Sequence, residues 1–364
     1  MKILTIIGAR PQFIKAAVVS RELRKEHQEV LVHTGQHYDY NMSEVFFKEL
    51  DIPNPDYNLG ISGGSHGKMT GKMLISIEEV ILMETPDIVL LYGDTNSTLA
   101  GALAAVKQHI PVIHVEAGGR LGTISNPEEV NRIVTDHISS LKLYCTESAK
   151  TFLDKEGILE NSYKVGDPML DAFKYYSKKV GNLVPEKLIG LDGGIIDLPE
   201  KFYYMTCHRE ENTSTDDVLA EILAAMDSLE ERTIYPVHPR NKSRVIRLIE
   251  ENNYQSIIAC QPVGYLMSVY LTNHCKKIVT DSGGLQREAF FAGKQCVTIF
   301  DYIVWPETMI DNRNQLAKAN RIDILKKLSV EQTIYENNAF GDGNAAKKIV
   351  RYINEYCNDF KELD

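Results

Sequence analysis

Ten short apolar runs recur along this chain, and each closes on glycine or a polar residue before a helix-like pattern begins. In the first half they are KILTIIGARP, EVLVHTGQ, IVLLYGDTNS, PVIHVEAGG and LKLYCTES. In the second half they are FYYMTCHRE, TIYPVHPR, SIIACQPVG, KIVTDSGG and QCVTIFD. The runs are continuous rather than alternating, as in strands covered on both faces. Strand, turn and helix repeated in that order build an α/β fold with a parallel, doubly wound sheet.

At 364 residues the chain exceeds one ordinary core, so two domains are expected. The strand series restarts after VGNLVPEKLIGLDGGIIDLPEK (180–201), which is rich in Gly, Pro and Leu and places the junction near 170–200. The expected division is a Rossmann-like domain over 1–170, a second over 171–345, and an amphipathic helix over 346–364 that packs back on the first. Two such sheets face each other across a cleft, and ligands gather just past the carboxyl ends of the strands.

Composition narrows the partners. A net charge of −10 supplies no basic footprint for nucleic acid, while anionic small ligands respond to local fields. The six cysteines contain no CxxC and read as reduced, mostly buried thiols of a cytoplasmic protein. KILTII is too short for a membrane span or signal peptide and reads as the first strand. His33 and His37 are four apart, but on a strand and loop rather than a helix, so no metal site is expected.

Polar residues collect where the apolar runs end. GARPQFIK puts Arg10 in the first turn and Lys15 in the first helix, though a plain strand–helix turn would also use them. Asp94 in YGDTNST is either a helix N-cap or a functional acid. MTCHREEN sets His208, Arg209 and Glu211 at a strand end. In TDSGGLQREA, Ser282, Gly283 and Gly284 open a helix whose free N–H groups and dipole suit a phosphate; Glu288, one turn in, suits a ribose diol. Neither GxGxxG nor GxxxxGK[ST] is present.

HVEAGGRLGTISNPEEVNR (114–132) is the densest polar stretch. Asn126 and Pro127 read as N-cap and first residue of a helix, and Glu129 as the third residue of an approximate capping box. Glu128 is then free for chemistry, and Arg132 can pair with it or meet an anion. Glu116 ends an apolar strand, where an idle buried carboxylate costs several kcal/mol. It must be paired, protonated or held by ligand. With Asp94 and Glu128 it makes three carboxylates around one cleft, a crowding that raises the pKa of at least one.

GARPQFIK, TGQHYDYNM, YGDTNSTLAG, HVEAG, PEEVNRIVTDH, HRxEN, HPR and DSGGLQxEA, in this order, resemble the non-hydrolysing UDP-N-acetylglucosamine 2-epimerases over about residues 1–310. GGSHGKMTGKML, QPVGYL with Tyr265, and the length of the EAG-to-PEE loop resemble the UDP-2,3-diacetamido-2,3-dideoxyglucuronate 2-epimerase branch. The resemblance implies a glycosyltransferase-B architecture, a homodimer, no cofactor and a role in bacterial surface polysaccharide synthesis. It implies inversion at C2 of a UDP-2-acetamido sugar through elimination of UDP to a 2-acetamidoglycal and re-addition. Asp94, Glu116, Glu128 and His208 match the catalytic set. Arg10, Lys15, Arg132, Tyr265, Ser282, Gly283, Gly284 and Glu288 match the residues that hold substrate and UDP. Gln36, Lys72, Arg209, Glu211 and His238 match an allosteric UDP-GlcNAc site, in which Asp39 stands for a Gln.

Two segments depart from the family pattern. GRLGTISN (119–126) has Gly119 for Leu and keeps Arg120, which implies a changed pocket for the C3–C6 substituents, or less readily a hydrolysing outcome. FDYIVWPE (300–307) has Phe300, Ile303 and Val304 at positions that are usually polar, as a 6-deoxy sugar would favour.

Overall fold

The computed structural model describes residues 1–36, 47–181, 187–303, 305–333 and 337–361. The chain divides into unit 1, Met1–Lys174 with Asn338–Asp364, and unit 2, Tyr175–Asn337.

Unit 1 alternates β1 (Lys2–Ile7), α1 (Arg10–Leu23), β2 (Gln28–His33), β3 (Tyr57–Asn58), α2 (His66–Glu84), β4 (Ile88–Tyr92), α3 (Asn96–Lys107), β5 (Val112–Ala117), α4 (Pro127–Ile138), β6 (Leu141–Tyr144), α5 (Glu147–Lys155) and β7 (Ser162–Lys164). The sheet is parallel, in the order β3-β2-β1-β4-β5-β6-β7. Every residue of β4 is buried, which accounts for its unbroken IVLLY. Leu4, Ile6, Val89 and Leu91 pack against Met73 and Ile77 of α2 and the alanines of α3. The β1–α1 turn closes at Gly8, where a Cβ would lie 2.2 Å from both Ser97 Oγ and Thr34 Oγ1. The C-terminal helix, Ala345–Lys361, packs on α1, and Asp171 accepts a hydrogen bond from Ala346 N at its start.

Helix α6 (Pro168–Val180) carries the chain from unit 1 into unit 2. Unit 2 continues with a small antiparallel hairpin, β8 (Leu188–Ile189) and β9 (Ile195–Ile196), inside the Gly-rich zone. It then runs β10 (Phe202–Thr206), α7 (Glu210–Thr213), α8 (Asp216–Asp227), β11 (Arg232–Pro236), α9 (Lys242–Asn252), β12 (Ile257–Cys260), α10 (Tyr265–His274), β13 (Ile278–Thr280), α11 (Gly283–Phe291), β14 (Cys296–Thr298), β15 (Asn314–Leu316) and α12 (Arg321–Leu328). This second sheet is also parallel, ordered β12-β11-β10-β13-β14-β15, with a core on each face.

Both sheets reverse strand order beside their first strand, between β1 and β4 and between β10 and β13. Neighbouring crossovers leave in opposite directions there, so the turns at the carboxyl edge part and expose helix N-termini. Arg10 and Asp94 follow β1 and β4, and His208 and Ser282 follow β10 and β13, at these two switch points; Glu116 ends β5, one strand further along the first sheet.

Candidate active site

In unit 1, Gln12 ties the turns after β1 and β4 together. Its Oε1 accepts from Gly8 N and Ala9 N at 2.8 and 3.0 Å, and its Nε2 donates to the Tyr92 carbonyl at 2.7 Å. Arg10 opens α1, half-buried, and Lys15 follows one turn later, its side chain 3% exposed. Lys15 is ion-paired with Glu116, which answers the question of what that carboxylate does at a strand end. Glu116 has a φ of 75°, and the β5–β6 register slips between Val115 and Ala117. A left-handed backbone on a non-glycine residue costs about 1–3 kcal/mol and persists only where the surroundings fix it. A Cβ on Gly93 would lie 3.5 Å from Glu116 Oε2 and 3.6 Å from Lys15 Nζ, so this pair sits against the β4 turn that carries Asp94.

Asp94 does not cap α3; Thr95 does, its hydroxyl accepting from Thr98 N. The Asp94 carboxylate instead receives Arg132 through Nη2 at 2.5 Å and Nε at 3.0 Å, and Asn131 Nδ2 donates to its carbonyl at 2.9 Å. Arg132 therefore does not pair with Glu128: its Nη1 goes to Glu129 Oε2 at 2.9 Å. The capping box is also incomplete. Asn126 accepts from the N–H groups of Glu128 and Glu129, but the buried Glu129 carboxylate turns to Leu121 N, Gly122 N and Arg132. Two backbone donors and a cation outbid the single N–H a box would offer. Glu128 is half-buried, and its carboxylate has no hydrogen-bond partner among the described residues. The mutual repulsion expected of three bare acids is thus offset by two cations, one on Asp94 and one on Glu116.

In unit 2 the fully buried Asp281 organises the turns after β10 and β13. Its Oδ2 accepts from His208 N and Arg209 N, both at 2.8 Å, and its Oδ1 meets His208 Nδ1 at 3.1 Å. Burial alone would raise the Asp281 carboxyl; the hydrogen bond and charge of His208 and the two N–H donors outweigh it and hold it below the ordinary value. Arg209 donates Nε to the Asp281 carbonyl at 3.0 Å, donates Nη1 to Tyr302 Oη, and lies 4.3 Å over the Phe300 ring. Phe300, read as the loss of a polar contact, is here the platform for a cation. Ile303 is exposed.

Ser282 caps α11 through Leu285 N, and Gly283 and Gly284 occupy its first positions, whose N–H groups have no partner within the helix. Glu288 lies one turn in, buried. Tyr265 is buried, edge-on to Tyr176 at 5.6 Å, so interior packing already accounts for it. Of the allosteric candidates, Gln36 accepts from Ser97 N and Oγ at 3.1 and 2.8 Å, and Lys72 is exposed on α2. Glu211 and His238 are exposed in unit 2, where His238 Nδ1 accepts from Arg240 N. His37, Asp39 and Val304 lie outside the described residues.

Three organising residues escaped the sequence reading: Asp281, His114 and Asp136. The last two meet each other inside unit 1, 22 residues apart in sequence with no local pattern linking them. No group of three or more His, Cys, Asp or Glu is arranged to hold a metal among the described residues, and none of their helices is long and apolar enough to cross a membrane.

Residues 21–354 match the family model described as UDP-N-acetylglucosamine 2-epimerase. A Methanococcus maripaludis UDP-N-acetylglucosamine 2-epimerase homolog is 46% identical, over 97% of this chain and 99% of its own. The Pseudomonas aeruginosa UDP-2,3-diacetamido-2,3-dideoxy-D-glucuronate 2-epimerase is 44% identical with the same coverage. The crystal structure of Methanocaldococcus jannaschii UDP-GlcNAc 2-epimerase, in complex with UDP-GlcNAc and UDP, superposes with a TM-score of 0.86 at 37% identity, covering 98% of this chain and 100% of that one. Two parallel-sheet α/β units of the glycosyltransferase-B type, with these motifs at both switch points, establish that the chain belongs to the UDP-N-acetylglucosamine 2-epimerase family of isomerases.

Proposed function

We propose that this enzyme inverts C2 of a UDP-2-acetamido sugar, either UDP-GlcNAc or a 2,3-diacetamido uronate, to supply surface polysaccharide synthesis. The C2 hydrogen is not beside a carbonyl, so simple deprotonation is too slow. When the C1–O bond breaks, UDP leaves with the electron pair and C1 becomes cation-like. A carboxylate then removes the C2 proton, giving the 2-acetamidoglycal. On re-addition a UDP oxygen bonds to C1 and a second acid delivers a proton to the opposite face of C2.

The observation that carries this reading is the pair of carboxylates on adjacent turns, each with its own cation: Asp94 with Arg132, and Glu116 with Lys15. Proton transfer falls to Asp94, Glu116 and Glu128. The cations, with Arg10, hold the negative charge that the reaction redistributes. With His208 Nδ1 on Asp281, its Nε2 is the ring atom left to meet a diphosphate oxygen. The α11 N-terminus at Ser282, Gly283 and Gly284 receives phosphate, and Glu288 the ribose. Stabilisation of the departing UDP is the largest contribution. The Pseudomonas relative supports the uronate. The exposed Ile303 supports a second reading, a 6-deoxy sugar. On this reading the enzyme works in the cytoplasm as a homodimer, without metal or cofactor.

NMR in D2O with UDP-GlcNAc, the UDP-2,3-diacetamido uronate and 6-deoxy analogues tests this. Deuterium enters C2 of the true substrate and its epimer, without an acceptor. No C2 exchange with any sugar would sink the epimerase reading.

A further inference from the structure

His114 lies in β5 with no exposed surface and has an acceptor against each ring nitrogen. Nε2 is 2.6 Å from the Gly93 carbonyl and Nδ1 is 2.7 Å from Asp136 Oδ1. A carbonyl only accepts, so Nε2 carries a hydrogen. The contact with Asp136 needs a second proton between nitrogen and oxygen. Asp136 Oδ2, equally buried, accepts from Gly118 N at 3.0 Å and Arg120 Nη1 at 2.7 Å. The other edge of Arg120 grips Glu156 with two hydrogen bonds of 2.7 and 2.8 Å. The Arg120 guanidinium thus bridges the two carboxylates, which gives the buried Asp136 the paired cation that a buried charge requires. Burial alone would raise the Asp136 carboxyl; the charge and hydrogen bond of His114, then Arg120 and Gly118 N–H, hold it low instead.

The backbone atoms this cluster grips are the informative part. Gly93 directly precedes Asp94, and Gly118 follows Glu116 by two residues. All three hinges are left-handed: Gly93 at a φ of 63°, Glu116 at 75° and Gly118 at 79°. Left-handed Glu116 needs its surroundings to fix it, and Asp136 holds the peptide just beyond it. The imidazole holds the other turn by its carbonyl. We propose that His114 and Asp136 are a positioning pair for the reaction: by clamping Gly93 and Gly118 they fix the separation of the Asp94 and Glu116 carboxylates.

This rests on the epimerase reading, in which those two groups serve proton transfer. Acid and base that must address opposite faces of one carbon tolerate little drift, since about 1 Å of misplacement costs about 10²-fold in rate. The test is the full-length enzyme with Asp136→Asn, and with His114→Gln, whose amide keeps a donor for Gly93. Folding is followed by circular dichroism, and kinetics are run on the sugar that exchanges best with the unmodified enzyme. The expected result is a folded variant with kcat lowered about 10²-fold, KM within about 3-fold, and more C2 deuteration per inversion. A folded variant with unchanged kcat overturns the proposal. So does a loss of rate, or of folded enzyme in both variants, without any change in the exchange-to-inversion ratio of the molecules that remain active. No C2 exchange by the unmodified enzyme is a different outcome, and defeats the epimerase reading itself.

Discussion

Glu128 and Glu129 are neighbours in sequence with opposite surroundings, which separates activity from stability. Glu129→Gln leaves donors from Leu121, Gly122 and Arg132 facing an amide that can satisfy only some of them. A buried donor left unpaired costs about 1–3 kcal/mol, so urea unfolding should show a loss in that range. Glu128→Gln breaks no such bond; its stability should stay within about 0.5 kcal/mol while turnover falls about 10²–10⁴-fold. Sequence distinguished the two acids through the helix start but assigned Glu129 a local cap. Its real partners arrive through the fold of the preceding loop, which no periodicity encodes. Asp281 was invisible for a related reason: it looked like the polar end of a strand, and only the sheet brings it to His208. Its carboxyl titrates below the unfolded value of about 3.9, so its stabilisation is present above that pH and lost as pH falls through the folded value. Thermal melts should therefore weaken below about pH 4, and Asp281→Asn should flatten that acid limb.

Strands are the elements most legible here, because each is buried on both faces and so reads as an unbroken apolar run. IVLLY and VIHVEA could be placed from composition alone, and both pair in parallel register as Val89 with Val112 and Leu91 with His114. Strand order was not legible, since a parallel partner is chosen by helix packing across the sheet rather than by its own residues. The hairpin of β8 and β9 within the expected junction shows the same limit: LIG and GII are too short to announce a strand until they pair. Turns are where elements become specific. Gly8 precedes Arg10 by two residues, and its missing side chain is space already filled by Ser97 and Thr34, whose hydroxyls are hydrogen-bonded to each other at 2.8 Å. Gly8→Ala must push α1 away from α3 or break that bond. Overpacking of this kind costs about 1–3 kcal/mol, read as a lower melting temperature, and kcat should fall with it because the Gln12 ties to the Tyr92 turn are strained too.

The chain as a whole leaves unit 1 within α6 and returns to it at Asn338, so the last helix belongs to the first domain's core. Its amphipathic pattern was readable, and the face that is buried carries Ala346, Ile349, Val350 and Ile353. The return is anchored at Asp167, whose N–H donates to the Phe340 carbonyl at 2.8 Å, and at Asp171 on the helix N-terminus. At the far end Asn354 donates to Glu26, just after α1. The last of these contacts joins residues more than 300 apart, so unit 1 is complete only when the chain has been made through its C-terminal helix. Removing methylenes from this seam should therefore weaken unit 1 by a cavity cost of about 2–4 kcal/mol for Ile349→Ala or Ile353→Ala. The single tryptophan provides the contrast: Trp305 sits in unit 2, stacked under the Arg287 guanidinium at 4.2 Å. In urea, the variants should lower the midpoint seen by far-ultraviolet circular dichroism more than the midpoint seen by Trp305 fluorescence, and the two transitions should cease to coincide. Equal shifts in both probes would mean that the C-terminal helix stabilises the molecule as one cooperative unit rather than closing the core of unit 1.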